Sequence, residues 1–112
     1  MENKDLGKCS IGMEPNVAAL LSYLLGFISG ILIYLVEKDN KFVRFHAMQS
    51  IVTFGAISVL YFIFSFIPVL GQPLMIITWI TGLILWVVLM FKAYLGEQFE
   101  LPFAGDIAKK NS

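Results

Sequence analysis

Charge is what this chain has least of. Only 14% of its 112 residues are charged, against 58% hydrophobic, and the formal net charge is zero. A water-soluble domain usually carries about 25% charged residues, so the surface needed to stay in water is missing. Without a basic field to release counterions, nucleic acid is excluded as a partner. A lone cysteine, Cys9, precludes an internal disulfide and a multi-cysteine metal site. No basic or helix-terminal setting surrounds it that would activate its thiol. The single histidine, His46, and the single arginine, Arg44, lie two positions apart. No carboxylate interrupts the apolar runs, and no phosphate loop, nucleophile–base pair or metal-ligand spacing occurs. These absences argue against an enzyme and imply neither cofactor nor metal.

What is present is apolar length. Residues 1–14 form a polar tail, expected to be flexible, and its mixed charge does not resemble a signal peptide. From Pro15 to Val36 there is no charge, and Pro15 suits the first turn of a helix. A continuous helix there would be long enough to cross a hydrocarbon core of ~30 Å. Phe45 to Phe91 is also free of formal charge and is about the length of two spans. The break falls at Pro68–Pro73, around Gly71. The sequence therefore predicts an all-α integral membrane bundle with three transmembrane helices, at about 15–37, 41–67 and 73–95. Asp39 and Asn40 are good caps for the second helix and Gly96 for the end of the third. Residues 15–96 form the transmembrane domain. Residues 97–112 form an irregular interfacial tail, because Pro102 and Gly105 disfavour a long helix.

Two patterns stand out. Ala18, Ser22, Gly26 and Gly30 recur every fourth residue, a helix-packing stripe that lets another backbone approach closely. It could serve packing within the chain or association with a second copy or another membrane protein. His46, Gln49, Ser50 and Thr53 share one broad face of the second helix. Polar groups entering hydrocarbon need partners, and Tyr34, Glu37, Tyr94 and Glu97 lie at a matching depth. The face reads either as a hydrogen-bonded packing cluster or as a polar mouth of a conduit. Lys41 and Arg44 would anchor the helix start at the headgroups. Trp86, in the middle of the third helix, needs a partner for its N–H inside the bundle.

With three spans, Lys38, Lys41, Arg44, Lys92, Lys109 and Lys110 share one side and Lys4 and Lys8 the other. Six against two places the C-terminus in the cytoplasm and the N-terminus outside.

Several segments resemble the Tic20-like family, small prokaryotic membrane proteins grouped with a chloroplast inner-envelope import component. Asn16, Ala19 and Tyr23 match its opening, and Glu37, Lys38 and Asn40 its loop. Phe42-Val43-Arg44-Phe45-His46-Ala47, followed by Gln49 and Ser50, matches its most specific block. Gly96, Glu97, Phe99, Pro102, Gly105 and Asp106 match its closing motif. The resemblance implies a three- or four-helix membrane protein and, for the plastid members, a part in protein conduction. The expected role is a structural or subunit component of a membrane complex. The alternative is an oligomeric conduit for peptides, ions or small solutes.

Overall fold

A computed structural model of the chain describes residues 6–112, and its described residues contain five helices and no strand. Helix α1 spans Pro15–Leu24, α2 Phe27–Val36, α3 Lys41–Phe64, α4 Gly71–Tyr94 and α5 Ala104–Lys110. The all-α expectation holds, but the three-span expectation does not. Two helices among the described residues, α3 and α4, are long and apolar enough to cross a membrane. The predicted first span is two helices of ten residues each. Each reaches about 15 Å, half of a bilayer core.

The chain breaks at Gly26, where φ is 66° and ψ −139°, a conformation open almost only to glycine. Apolar length alone could not reveal this turn. A bend inside hydrocarbon is tolerated only if its backbone groups find partners in the protein, and here they do. Ser29 Oγ accepts the Leu25 N–H at 2.9 Å and donates to the Ser22 carbonyl at 3.1 Å. Ser50 Oγ donates to the Gly26 carbonyl at 2.9 Å. The Gly26 N–H closes onto the Tyr23 carbonyl.

The resulting α1–α2 hairpin folds back on itself, with α1 against both α3 and α4 and α2 against α3. Its two ends meet. Glu37 Oε1 accepts the N–H groups of Ser10 and Ile11, and Asn40 Nδ2 donates to the carbonyls of Leu6 and Lys8. From Leu6 onward the polar N-terminal segment is thus tied to the 37–40 loop. Residues 1–5 of the expected tail, Lys4 among them, lie outside the described residues. The C-terminal tail joins the same end: Asn16 Nδ2 donates to the Tyr94 carbonyl and Tyr34 Oη to the Asn111 carbonyl. The described N-terminal segment, the 37–40 loop and the C-terminal tail therefore gather at one end of α3–α4, and the 65–70 turn stands at the other. The count that put the N-terminus outside assumed three spans, and two of the described helices are long and apolar enough to be spans.

Local signals behave as their chemistry predicts. Asn40 caps α3 by accepting the Val43 N–H at 3.0 Å, Pro15 opens α1, and Gly96 follows α4 at φ 81°. The tail is more regular than expected, since α5 forms beyond Phe103 and packs on α3. Gly105 is required there, because a Cβ would stand 2.8 Å from the Glu100 Cβ.

The buried core sits at the crowded end, around Ala19, Tyr23, Phe54, Leu89 and Ala93. Beyond the tip of the α1–α2 hairpin, α3 and α4 continue as a bare pair. Val59, Phe62, Ile76, Trp79 and Ile80 are exposed there, as suits side chains in lipid.

Candidate functional site

The polar face predicted on α3 is assembled, and its hub is Tyr23 of α1. His46, Gln49 and Ser50 are fully buried and Thr53 is 7% exposed. The Glu97 carbonyl can only accept, so His46 Nε2 donates to it at 3.0 Å. Nδ1 of the neutral ring then accepts the Tyr23 hydroxyl proton at 2.7 Å. Gln49 Nε2 donates to the Tyr23 hydroxyl at 3.0 Å and to the Phe99 carbonyl at 2.8 Å, while its Oε1 accepts the Leu101 N–H at 2.9 Å. Trp86 finds the expected internal partner, the Tyr23 carbonyl, at 2.8 Å. His46 is enclosed edge-on by Tyr23, Phe42 and Phe45.

This cluster fastens the chain after α4 to α3. His46 holds Glu97 through its carbonyl, and Gln49 holds both Phe99 and Leu101 as a strand partner would. Such saturation stabilises one packing and leaves few free polar positions for a moving ion. Thr53 Oγ1 is the exception, buried without a hydrogen-bond partner among the described residues. Of the partners expected from depth, only Glu97 meets the face, and it does so through its backbone.

Tyr23, which the sequence marked only as part of a family-like opening, is fully buried at the centre of the network. Glu37 was named only as a possible partner of His46. It is instead a clasp of its own, since Oε2 accepts the N–H groups of Asp39 and Asn40 at 3.0 and 2.9 Å, in addition to Ser10 and Ile11 on Oε1. Burial would raise its carboxyl pKa, but the donors from Asn40, Asp39, Ser10 and Ile11 hold it below the ordinary value of 4.5. Beside it, burial first and the Glu37 charge second push the Cys9 thiol up to about 11.

Arg44, expected as a headgroup anchor, makes several contacts within the protein. Its guanidinium lies 4.0 Å from the Tyr34 ring centroid, and Nη1 donates to the carbonyls of Tyr34 and Glu37. Nε reaches the Ser112 carbonyl at 3.3 Å. It therefore caps the end of α2 and ties the tail to it. Lys41 is exposed.

The small-residue stripe is spent inside the molecule. Ala18 and Ser22 are buried on α1, Gly26 is the turn, and Gly30 lies against α3, where a Cβ would stand 2.9 Å from the Ala47 carbonyl oxygen. Among the described residues no group of three or more His, Cys, Asp or Glu could hold a metal ion.

Comparison with known proteins corrects the resemblance drawn from the sequence. Residues 10–108 match the magnetosome magnetite crystal formation protein family, and no match to the Tic20-like family supports the earlier likeness. The chain is 50% identical over 107 residues to a UPF0132 membrane protein of Methanocaldococcus jannaschii, covering 96% of each. It is 51% identical over 98 residues to a UPF0132 membrane protein of Archaeoglobus fulgidus, covering 88% of this chain and 95% of that one. A second Methanocaldococcus jannaschii protein of the same description is 42% identical over 101 residues, covering 90% and 72%. No solved structure matches. The chain belongs to the magnetosome magnetite crystal formation protein family, and is similar to archaeal UPF0132 membrane proteins.

Proposed function

We propose that this chain is a non-catalytic structural component of a membrane assembly. In this reading α3 and α4 cross the bilayer and the α1–α2 hairpin enters from the cytoplasmic side and returns. The bound tails then form a rigid platform on that side for other membrane proteins or a second copy. The observation that carries the reading is the saturated Tyr23–His46–Gln49 network, which fixes the segment 97–101 on α3 and leaves those side chains little to offer a passing ion or solute. The charge distribution supports the orientation. Lys8, Lys38, Lys41, Arg44, Lys92, Lys109 and Lys110 all lie in or beside the segments at the crowded end, and the 65–70 turn has no lysine or arginine. By the positive-inside rule that end faces the cytoplasm, in a prokaryotic cell membrane.

The matched family is described by magnetite crystal formation. Carboxylates would be the natural contact to a mineral's cations. Here they fall at the cytoplasmic end, and the turn 65–70 has none. What this chain takes from that family, in our reading, is the membrane component and not the mineral contact.

The alternative is an oligomeric conduit, and the same face would have to line it. Reconstituted protein tests both readings. A structural component gives silent bilayers between pH 5 and 8, about the range of an ordinary histidine, and reproducible neighbours on cross-linking in native membranes. Flux that changes in His46→Ala, or the lack of any specific neighbour, would overturn the proposal.

A further inference from the structure

Beyond the tip of the α1–α2 hairpin, two hollows of about 500 and 340 Å³ lie along the α3–α4 pair. Both are lined by Tyr61 and Trp79, so they form one groove. Phe54 and Trp86 line its inner part, and the same two side chains hold α1, Phe54 against the Tyr23 ring and Trp86 through the Tyr23 carbonyl. The groove therefore continues the surface on which α1 packs. Gly82 keeps it open by placing no side chain in it, and the walls carry four aromatic rings, those of Phe54, Tyr61, Trp79 and Trp86.

The polar side-chain groups on these walls are donors. The Trp86 N–H is spent on the Tyr23 carbonyl and the Ser58 hydroxyl on the Phe54 carbonyl. The Trp79 N–H and the Tyr61 hydroxyl have no hydrogen-bond partner among the described residues, and an indole N–H can only donate. Trp79 lies about 12 Å along α4 from Gly71, deeper than the headgroup layer in which interfacial tryptophans place their N–H. An unpaired donor in hydrocarbon costs free energy, so the occupant that suits this groove brings an acceptor to that depth. An acyl chain keeps its oxygens at the headgroups. A complete transmembrane helix on this face would run into the α1–α2 hairpin. A second copy inserted upside down could lay its own hairpin there, but lysines and an arginine gathered at one end oppose two orientations in one membrane. A flat ring bearing carbonyl oxygens meets both demands, stacking on the walls and accepting from Trp79 and Tyr61.

We propose that the α3–α4 groove binds a lipid-soluble ring that carries carbonyl oxygens, the chemistry of a quinone. The ring lies by Tyr61 and Trp79, its oxygens accept their protons, and its apolar tail runs past Gly82 towards Trp86. The site rests on the reading above only in that α3 and α4 cross a bilayer, and it holds whichever way the hairpin faces.

The test uses the full chain purified in mild detergent, with decylubiquinone as the probe. Both tryptophans of the chain line the groove, so their emission reports on it. Micromolar decylubiquinone should quench about half of that emission or more, and the quenching should saturate. Decylbenzene, which has the ring and tail without the carbonyls, should compete about tenfold less well. Trp79→Phe keeps a ring and loses the donor, and at 59% exposure Trp79 is not part of the core. This variant should weaken binding, read through Trp86, about fivefold, the share of one hydrogen bond. Gly82→Leu fills the groove and should abolish the saturable quenching. Quenching that rises without saturating would mean collision in the micelle and would overturn the site. Equal competition by decylbenzene, or undiminished binding in either variant, would overturn it too. Loss of a cross-linked dimer in both variants, with quenching that never saturates, would instead assign the groove to a second copy. None of these outcomes depends on whether the protein has other neighbours or conducts, so the ring site and the structural role fail separately.

Discussion

Glu37 and Gln49 each hold two segments of chain that are far apart in sequence, and each does it through backbone groups. Four N–H donors converge on the Glu37 carboxylate. Because its folded pKa lies below 4.5, the ionised form stabilises the fold fully above that value. The contribution is lost as pH falls through the lower, folded value. Thermal melts between pH 7 and pH 3 should show a falling midpoint at the acid end, and Glu37→Gln should both lower the midpoint at pH 7 by roughly 5 °C or more and flatten the acid slope. An unaltered slope in the variant would remove Glu37 from that role. Cys9, with its thiol pushed up to about 11, should react with alkylating reagents at pH 8 far more slowly than a free thiol of ordinary pKa. Unfolding should restore the ordinary rate.

Gln49→Leu would strand the Phe99 carbonyl and the Leu101 N–H, at a cost of about 2–4 kcal/mol for the lost bonds and buried orphans. Hydrogen exchange should rise at residues 97–101 before it rises in α4. A uniform rise across both would mean that the tail is not a separately held unit.

Among the elements, the α1–α2 hairpin departs furthest from what the sequence implied. The signals for α3 and α4 were legible because each is local: Asn40 as a cap, the Pro68–Pro73 break, Gly96 at the end. Helix α3 starts at Lys41 as expected, and α4 begins at Gly71, two residues ahead of expectation. The hairpin was not legible, because ten plus ten apolar residues have the hydropathy of one span. The signal for a turn lay in Gly26 flanked by Ser22 and Ser29, which also fits a packing stripe. Only the partner across the fold, Ser50, separates the two. The polar face was legible as a face, since its residues share a helical side. Its partners were not, because the carbonyls of Glu97 and Phe99 carry no side-chain signal, and Tyr23 comes from another helix. Gly30 makes the distinction testable. Gly30→Ala should overpack against Ala47 and cost about 1–3 kcal/mol. Gly55→Ala, where a Cβ meets nothing within 4 Å, should be tolerated. If Gly30→Ala left stability unchanged but dissolved a cross-linked oligomer, the stripe would face a second molecule instead of α3.

Over the whole molecule, the structure is lopsided along its 50 Å length. All five described helices and both described chain ends meet at one end, and only α3 and α4 continue bare to the other. Two surface ion pairs at the crowded end, Lys92–Glu97 at 3.3 Å and Lys109–Glu100 at 3.4 Å, are partly exposed and add little. The buried hydrogen bonds of Tyr23, Glu37, His46 and Gln49 hold the crowded end together. That both chain ends lie on one side of the bilayer is the claim on which the proposed platform and its orientation draw. Site-directed cysteine labelling tests it most directly. In a Cys9→Ser background, Lys8→Cys, Val69→Cys and Lys110→Cys place one thiol each in exposed positions of the N-terminal segment, the far turn and the tail. With a membrane-impermeant maleimide on intact cells, position 69 should label, and positions 8 and 110 should label only after permeabilisation. Labelling of position 8 together with 69, and not with 110, would restore three spans and contradict the re-entrant hairpin.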